Sequence, residues 1–314
     1  MADTPLSLAL FWIAVVAYLV ALVLFVAYLP LRRRWVADLA VVAVMTGWPF
    51  HAASIVTRAL EANHWPLGNM YEYSTAIAFV VMTTFIVLAL RARMRLVGLP
   101  CTVLAVSLLG VAYMLYVPPG QLVPALHSYW LTIHVTAMAT SSGLLTFSFL
   151  FAMFYLVRHW ADQRLAAFAA SRGDDGRRAL TPGGTPVSVG GGAGGGSQTL
   201  AAARTVARVL PSAKSLDEWS YRFVMLGFPI WSFGVICGAI WGEHAWGRYW
   251  GWDPKETFAF ITWVIFAIYL HARVTYGWRE KRAAMITGVG FVAILFTLYA
   301  VNLWIAGLHS YARA

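Results

Sequence analysis

LSLALFWIAVVAYLVALVLFVAYLP, residues 6–30, runs for twenty-five positions without a charged side chain and then meets Arg32, Arg33 and Arg34. At about 1.5 Å of rise per residue, a helix of that length crosses a hydrocarbon core of roughly 30 Å. The stretch reads as a membrane span. No basic cluster precedes it and no small-residue cleavage site follows, so it is expected to stay in the mature protein rather than leave as a signal peptide. Seven further apolar runs follow, at about 37–57, 71–90, 97–117, 130–157, 223–242, 257–277 and 285–305. Each is too long and too poor in turn residues for a barrel strand. The expected fold is all-α: a polytopic integral membrane protein with about eight transmembrane helices.

Composition agrees. Apolar residues make up 60% of the 314 and charged residues 11%, against about 45–50% and about 25% in soluble chains. So few polar groups could not cover a soluble surface. The net charge of +10 lies in short clusters between the spans, which is the positive-inside pattern and not a nucleic-acid footprint. No nucleic acid partner is expected; the partner of most of the surface is the lipid bilayer. With the segments after the first, third, fifth and seventh spans in the cytoplasm, 19 of the 23 basic residues lie on that side, and only Arg58, Arg248, Lys255 and Arg313 lie outside. Leaving out the long third loop, to which the rule does not apply, keeps the ratio at 10 to 4. Both termini are expected outside, in a multi-pass protein of the cell's inner (plasma) membrane.

The stretch 160–215 differs from its surroundings, with Arg-Gly-Asp-Asp-Gly at 172–176 and glycines from 190 to 196 interrupted only by Ala193. Such a composition buries too little apolar area to offset its ordering entropy. The chain therefore divides into residues 1–159 with five spans, a flexible cytoplasmic linker over 160–215, and residues 216–314 with three spans. A phosphate-binding loop is excluded, since the glycines lack a following Gly-Lys-Ser/Thr and a preceding strand. Cys101 and Cys237 form no Cys-x-x-Cys pair or zinc pattern and read as packing residues.

The chemistry-bearing residues gather on the expected outer side: 63–72, His127 to His134, the aromatic run Trp241 to Glu256, and His309. Trp241, Trp246, Trp250 and Trp252 fall within twelve residues, with Tyr249 among them and Gly242, Gly247 and Gly251 between. A belt at the headgroup level accounts for any one tryptophan. Four in one loop, 241–257, spaced by glycines, suit a planar hydrophobic ligand such as a porphyrin or quinone. Histidine decides between those, because haem iron takes axial imidazoles. His134 opens the fifth span and His309 follows the eighth, so together they are candidates for bis-imidazole ligation; each alone reads equally as an interfacial histidine. His127 is the weaker candidate, beyond a stretch holding Pro118, Pro119 and Pro124. His271 lies fourteen residues into the seventh span, at bilayer depth, and is either a packing residue or an axial ligand for haem crossing the membrane. His51 is a similar case.

Trp246-Gly-Arg-Tyr-Trp-Gly-Trp-Asp-Pro-Lys-Glu-Thr257 resembles the tryptophan-rich "WWD" signature of haem-handling proteins in cytochrome c maturation. With 64–72, 130–135, 261–273 and Val301-Asn302 together with Gly307 to Tyr311, the chain resembles the CcsA (ResC-like) family of the System II pathway over nearly its whole length except the glycine-rich segment. That resemblance implies a membrane subunit of a cytochrome c synthase. It would hold haem b as bound substrate at the outer (periplasmic) face and present it for thioether attachment to Cys-x-x-Cys-His motifs of apocytochrome c. It implies a holocytochrome-c synthase (haem lyase) component acting with a CcsB/ResB-like membrane subunit. His134 and His309 match the outer histidines that ligate haem iron, and His271 matches a transmembrane histidine that contacts haem in transit. Trp241, Trp246, Trp250, Trp252 and Asp253 belong to the implied haem-binding loop. The role of His51 stays open. Arg248 and Lys255 are candidates for the haem propionates, with pairing to Asp253 and Glu256 the equal alternative. The competing classes are a haem exporter or chaperone without ligase activity and a respiratory quinone or haem b membrane subunit. The last would need paired histidines at two membrane depths within one bundle, which this chain lacks internally.

Overall fold

The computed structural model describes residues 4–92, 94–122, 126–178, 193–305 and 307, with side chains except at 172–178 and 193–196. Its helices are α1 (Leu6–Leu31), α2 (Arg34–Ala62), α3 (Met70–Arg91), α4 (Gly98–Met114), α5 (Tyr129–Arg178), α6 (Ala193–Val209), α7 (Ala213–Trp246), α8 (Pro254–Thr275), α9 (Glu280–Leu295) and α10 (Val301–Trp304). A π turn, Phe296–Ala300, joins the last two. Among the described residues, eight helical stretches are long and apolar enough to cross a membrane, and they coincide with the eight runs read from the sequence. The chain is an all-α, polytopic membrane protein.

Two expectations about extent change. Within the expected 160–215 linker, α5 continues to Arg178 and α6 covers Ala193–Val209. The alanine-rich run from 161 to 170 favours helix once the fifth span has nucleated one, since alanine has the highest helix propensity. Positions 179–192, which include part of the glycine run, lie outside the described residues. The tip of α6 is fastened to the bundle by Arg158, whose Nη1 donates to the carbonyls of Ala207 at 2.9 Å and Leu210 at 2.7 Å. A guanidinium at a helix C-terminus satisfies orphan carbonyls and complements the dipole.

The aromatic loop is also shorter than 241–257. Helix α7 carries Trp241 and Trp246 and ends where Gly247 turns left-handed at φ 68, its N–H donating to the Glu243 carbonyl. Helix α8 starts at Pro254, a residue preorganised for the first helical position. The loop proper is 247–253.

Helices α5 and α7 form the centre of the bundle. Their approach depends on small residues. A Cβ on Gly227 would fall 2.8 Å from the Leu145 side chain, and one on Gly234 would fall 2.7 Å from Met138 Sδ. Small residues on one face bring transmembrane backbones together, replacing the hydrophobic drive that lipid removes. Ser141 then reaches the Gly227 carbonyl at 2.7 Å, and Phe147, Phe151 and Phe223 stack below. Cys101 and Cys237 are both buried, as packing residues would be.

Ion pairs close the two ends. At the end carrying the 247–253 loop, Arg58 and Glu72 meet at 2.8 Å with both side chains almost fully buried. Arg58 also donates to the Val117 carbonyl at 2.8 Å, and the second carboxylate oxygen of Glu72 accepts from the Gly68 N–H at 2.8 Å. One pair thus ties α2, α3 and the segments that flank them. Arg58 was expected in an outer loop; it is the last buried turn of α2. At the opposite end, Arg273 makes a bidentate pair with Asp217 at 2.7 and 2.9 Å, joining α8 to α7.

His51 is fully buried, and both of its ring nitrogens are engaged. Nε2 faces the Thr75 carbonyl, which only accepts, so it carries the proton; Nδ1 then accepts from the Tyr18 hydroxyl, both at 3.2 Å. No lone pair is left for a metal. His51 braces α1, α2 and α3.

Glu72→Ala leaves a buried, uncompensated guanidinium and is expected to lower stability by about 3 kcal/mol or more. Arg95→Ala, which removes the half-exposed pair with Asp38, should cost within about 1 kcal/mol. Unfolding of both variants in mixed micelles measures the contrast; equal losses would contradict it.

Candidate functional site

An apolar cavity opens at the end carrying the 247–253 loop and encloses about 1090 Å³ of empty space, counting the part open at its mouth. One wall comes from α5 through Leu131, His134 and Met138, and another from α7 through Trp231, Gly238 and Trp241. Tyr249 and Trp250 of the loop, Lys255 and Glu256 of α8, Asn302 of α10 and residues 67–70 also belong to the lining.

His134 is the histidine set in this cavity. Its Nδ1 lies 2.7 Å from the Gly234 carbonyl. A carbonyl only accepts, so Nδ1 carries the proton, and Nε2 keeps its lone pair with no hydrogen bond among the described residues. This is the arrangement that second-sphere carbonyls impose on metal-binding imidazoles. The ring fits because position 238 is glycine: a Cβ there would sit 2.6 Å from His134 Nδ1 and 2.7 Å from its Cε1. Trp241 lies nearly parallel to the imidazole, at 15° and 6.4 Å between centroids. An apolar chamber with indole walls and one imidazole nitrogen available to a metal fits a haem.

The aromatic residues divide by place. Trp241 and Trp250 line the cavity, while Trp246 supports Trp241 edge-on at 4.7 Å. Trp252 is 66% exposed and packs outside, against Trp250 and Phe260. Its φ of 57 is unusual for a bulky side chain and marks strain at the loop. Asp253 is buried as the N-cap of α8, in a capping box with Glu256. It shapes the loop from behind the lining.

Gly307 runs beside that cap, where a Cβ would lie 2.7 Å from Asp253 Oδ1. His309 itself lies outside the described residues. His271 is elsewhere: it is exposed, one turn from the C-terminal end of α8, with its ring 5.8 Å from Tyr276. Twelve residues separate it from Ala259 of the cavity wall, roughly 18 Å along the helix. His127 and His64 line a second, adjoining hollow with Leu67, Gly68 and Leu131.

Sequence reasoning missed Gly234, Gly238 and Met138, and it marked Asn302 only as part of a stretch shared with the family, without a place in the site. The Gly234-x-x-x-Gly238 spacing in the sixth span carried a signal for close helix approach. The place of Asn302 at the cavity was not readable, because it reaches the cavity through the π turn, a feature frequent at functional sites.

Gly238→Ala is expected to cost about 1–3 kcal/mol of stability by collision with the His134 ring. The same change in a His134→Ala background should cost clearly less, since the obstructed ring is gone. A double-mutant cycle in micelles measures the coupling; additive losses would mean that the two side chains do not meet.

The model of the family described as Cytochrome C assembly protein matches residues 67–309. "Cytochrome c biogenesis protein CcsA" of Gloeobacter violaceus is 38% identical over 276 residues, covering 82% of this chain and 81% of that one. The protein of the same description from Microcystis aeruginosa is 38% identical over 275 residues, 83% of each chain, and that of Synechococcus elongatus is 36% identical over 271, again 83% of each.

Proposed function

Because this chain belongs to the cytochrome c assembly family, and within it to the CcsA proteins of cytochrome c maturation, we propose that its cavity holds haem b as substrate for attachment to apocytochrome c. The observation that carries this reading is the His134 imidazole, fixed by the Gly234 carbonyl so that Nε2 is the free nitrogen in an indole-walled chamber. His309 is the proposed second axial ligand, supported by the course of Gly307 against Asp253.

The chemistry of attachment is addition of two thiols, from a Cys-x-x-Cys-His motif, across the two haem vinyl groups. Both cysteines of this chain are buried, so the thiols come from the apocytochrome. What this chain contributes is position. Its imidazoles hold the iron, Trp241 and Trp250 flank the macrocycle, and the strained 247–253 loop sets the mouth through which the peptide reaches the vinyl edge. Holding two reactants in register contributes several kcal/mol to such a reaction. Arrival of the peptide's own histidine would displace one axial ligand and favour release of the product.

The cavity end is the outer, periplasmic face of the inner membrane in this reading, because the basic loops lie at the opposite end. His271, exposed on α8, is proposed to meet haem in transit together with a CcsB/ResB-like subunit, the partner in a holocytochrome-c synthase. Exposure on the flank of the bundle supports that reading, since a packing histidine would be covered by its own chain. A haem exporter without ligase activity would use the same residues, and purified complex supplied with haem and a Cys-x-x-Cys-His peptide separates the two.

His134→Ala is expected to weaken haem binding in the cavity at least tenfold and to stop maturation, with added imidazole restoring part of both. A variant that keeps a bis-histidine absorption spectrum and full maturation would overturn the assignment. If haem passes His271 before reaching the cavity, His271→Ala should leave the protein empty of haem, whereas His134→Ala and His309→Ala should still hold haem at the membrane site. Haem-to-protein ratios of the three purified variants decide this, and a normal ratio for His271→Ala would reject the relay.

A further inference from the structure

We propose that Lys255, braced by Asn302, is the anion-holding end of the cavity and takes a carboxylate of the ligand, which for a haem is its propionate edge. This rests on the haem reading above. Lys255 is the sole cationic side chain among the described residues that line the cavity. Its Nζ donates to Asn302 Oδ1 at 3.1 Å, and the Asn302 amide nitrogen donates in turn to the Leu298 carbonyl within the π turn. The amide is thereby oriented with its oxygen toward the lysine. An ammonium has three donors, and the described structure supplies this one with a single neutral acceptor and no carboxylate within ion-pair distance.

The two acids beside it in sequence are turned to the backbone. Glu256 Oε2 accepts from the N–H groups of Gly251 at 2.8 Å and Asp253 at 3.1 Å. Asp253 Oδ2 accepts from the backbone N–H of Lys255 at 3.4 Å as the cap of α8. Both carboxylates build the loop; Glu256 also borders the chamber, whose lining is otherwise largely apolar, and the ammonium faces into it. Burial makes a charge in such surroundings costly, the nearby Asp253 carboxylate offsets only part of that, and an anion in the cavity would offset more. Arg248, the other cation of the motif, does not compete: it is exposed, and its guanidinium lies so close over Gly251 that a Cβ there would fall 1.4 Å from Nη1. It stands outside the lining.

The ligand class that follows is a flat, apolar macrocycle with carboxylates on one edge. His134 would address its centre and Lys255 that edge, which fixes how the ring is turned in its own plane.

The test compares haem with haem dimethyl ester, in which both carboxylates are blocked, on the full-length chain purified in detergent micelles. The unaltered chain should bind haem roughly tenfold or more tightly than the diester, the size expected of one charge-assisted hydrogen bond. Lys255→Met should lose that preference while binding the diester as before, and Lys255→Arg should keep part of it. The axial-ligand spectrum should be the same in all three, because His134 is untouched. An unaltered chain that does not distinguish the two porphyrins, or a Lys255→Met chain that still does, overturns the proposal and leaves the haem reading standing. Failure of the unaltered chain to bind either porphyrin overturns both. The comparison on the unaltered chain needs no substitution, so misfolding of a variant does not decide the matter.

Discussion

His134 can give its Nδ1 proton to the Gly234 carbonyl only because α5 and α7 approach each other over positions without side chains. The bond is 2.7 Å long, and Gly234 and Gly238 face the α5 side chains Met138 and His134 directly. In a bilayer the helices gain nothing from hiding apolar surface from water, so close packing and interhelical hydrogen bonds must hold them together. The same contact does two things. It joins the two central helices of the bundle, and it decides which imidazole nitrogen keeps its lone pair.

The buried ion pairs serve the same arrangement at its two ends. Arg58 and Glu72 are expensive to desolvate, and a pair of apolar side chains of similar size would often be as stable. Their geometry gives another role. Glu72 receives the N–H of Gly68, in the stretch 67–70 that lines the cavity, while Arg58 holds the segment after α4 through Val117. Directional bonds of this kind fix a loop where packing alone would leave it several positions. His51, with both nitrogens engaged, holds α1 and α2 against α3 in the same manner.

The histidines therefore fall into distinct physical situations although they look alike in a sequence. His51 is saturated, His134 is half-saturated with its remaining lone pair in a chamber, and His271 stands exposed at the far end of α8. Within this chain the cavity and His271 are separate places. A ligand that visits both must travel along the outside of α8 or be handed over by another subunit, which is why exposure at His271 matters more than its depth.

Much of the architecture was legible before any fold was known. Uncharged runs of about twenty residues leave no alternative to membrane helices, because an unsatisfied backbone group in hydrocarbon costs too much. The eight spans follow from that constraint, as does the gathering of aromatic and histidine residues at one end. The tryptophan-rich run also marked the site's neighbourhood by composition. Which tryptophans line the chamber was not legible: Trp241 and Trp250 face it, while Trp252 lies outside, and the difference depends on where α7 ends at Gly247 and on the turn that follows. The protonation of His134 depends on a carbonyl one hundred residues away, and the placement of Asn302 beside Lys255 on a π turn with no clear signature in its residue types. A hydropathy pattern is a property of each segment alone and sets each helix in the bilayer. Hydrogen-bond direction and a lone pair's orientation are properties of pairs of segments, and they exist only once the helices have packed.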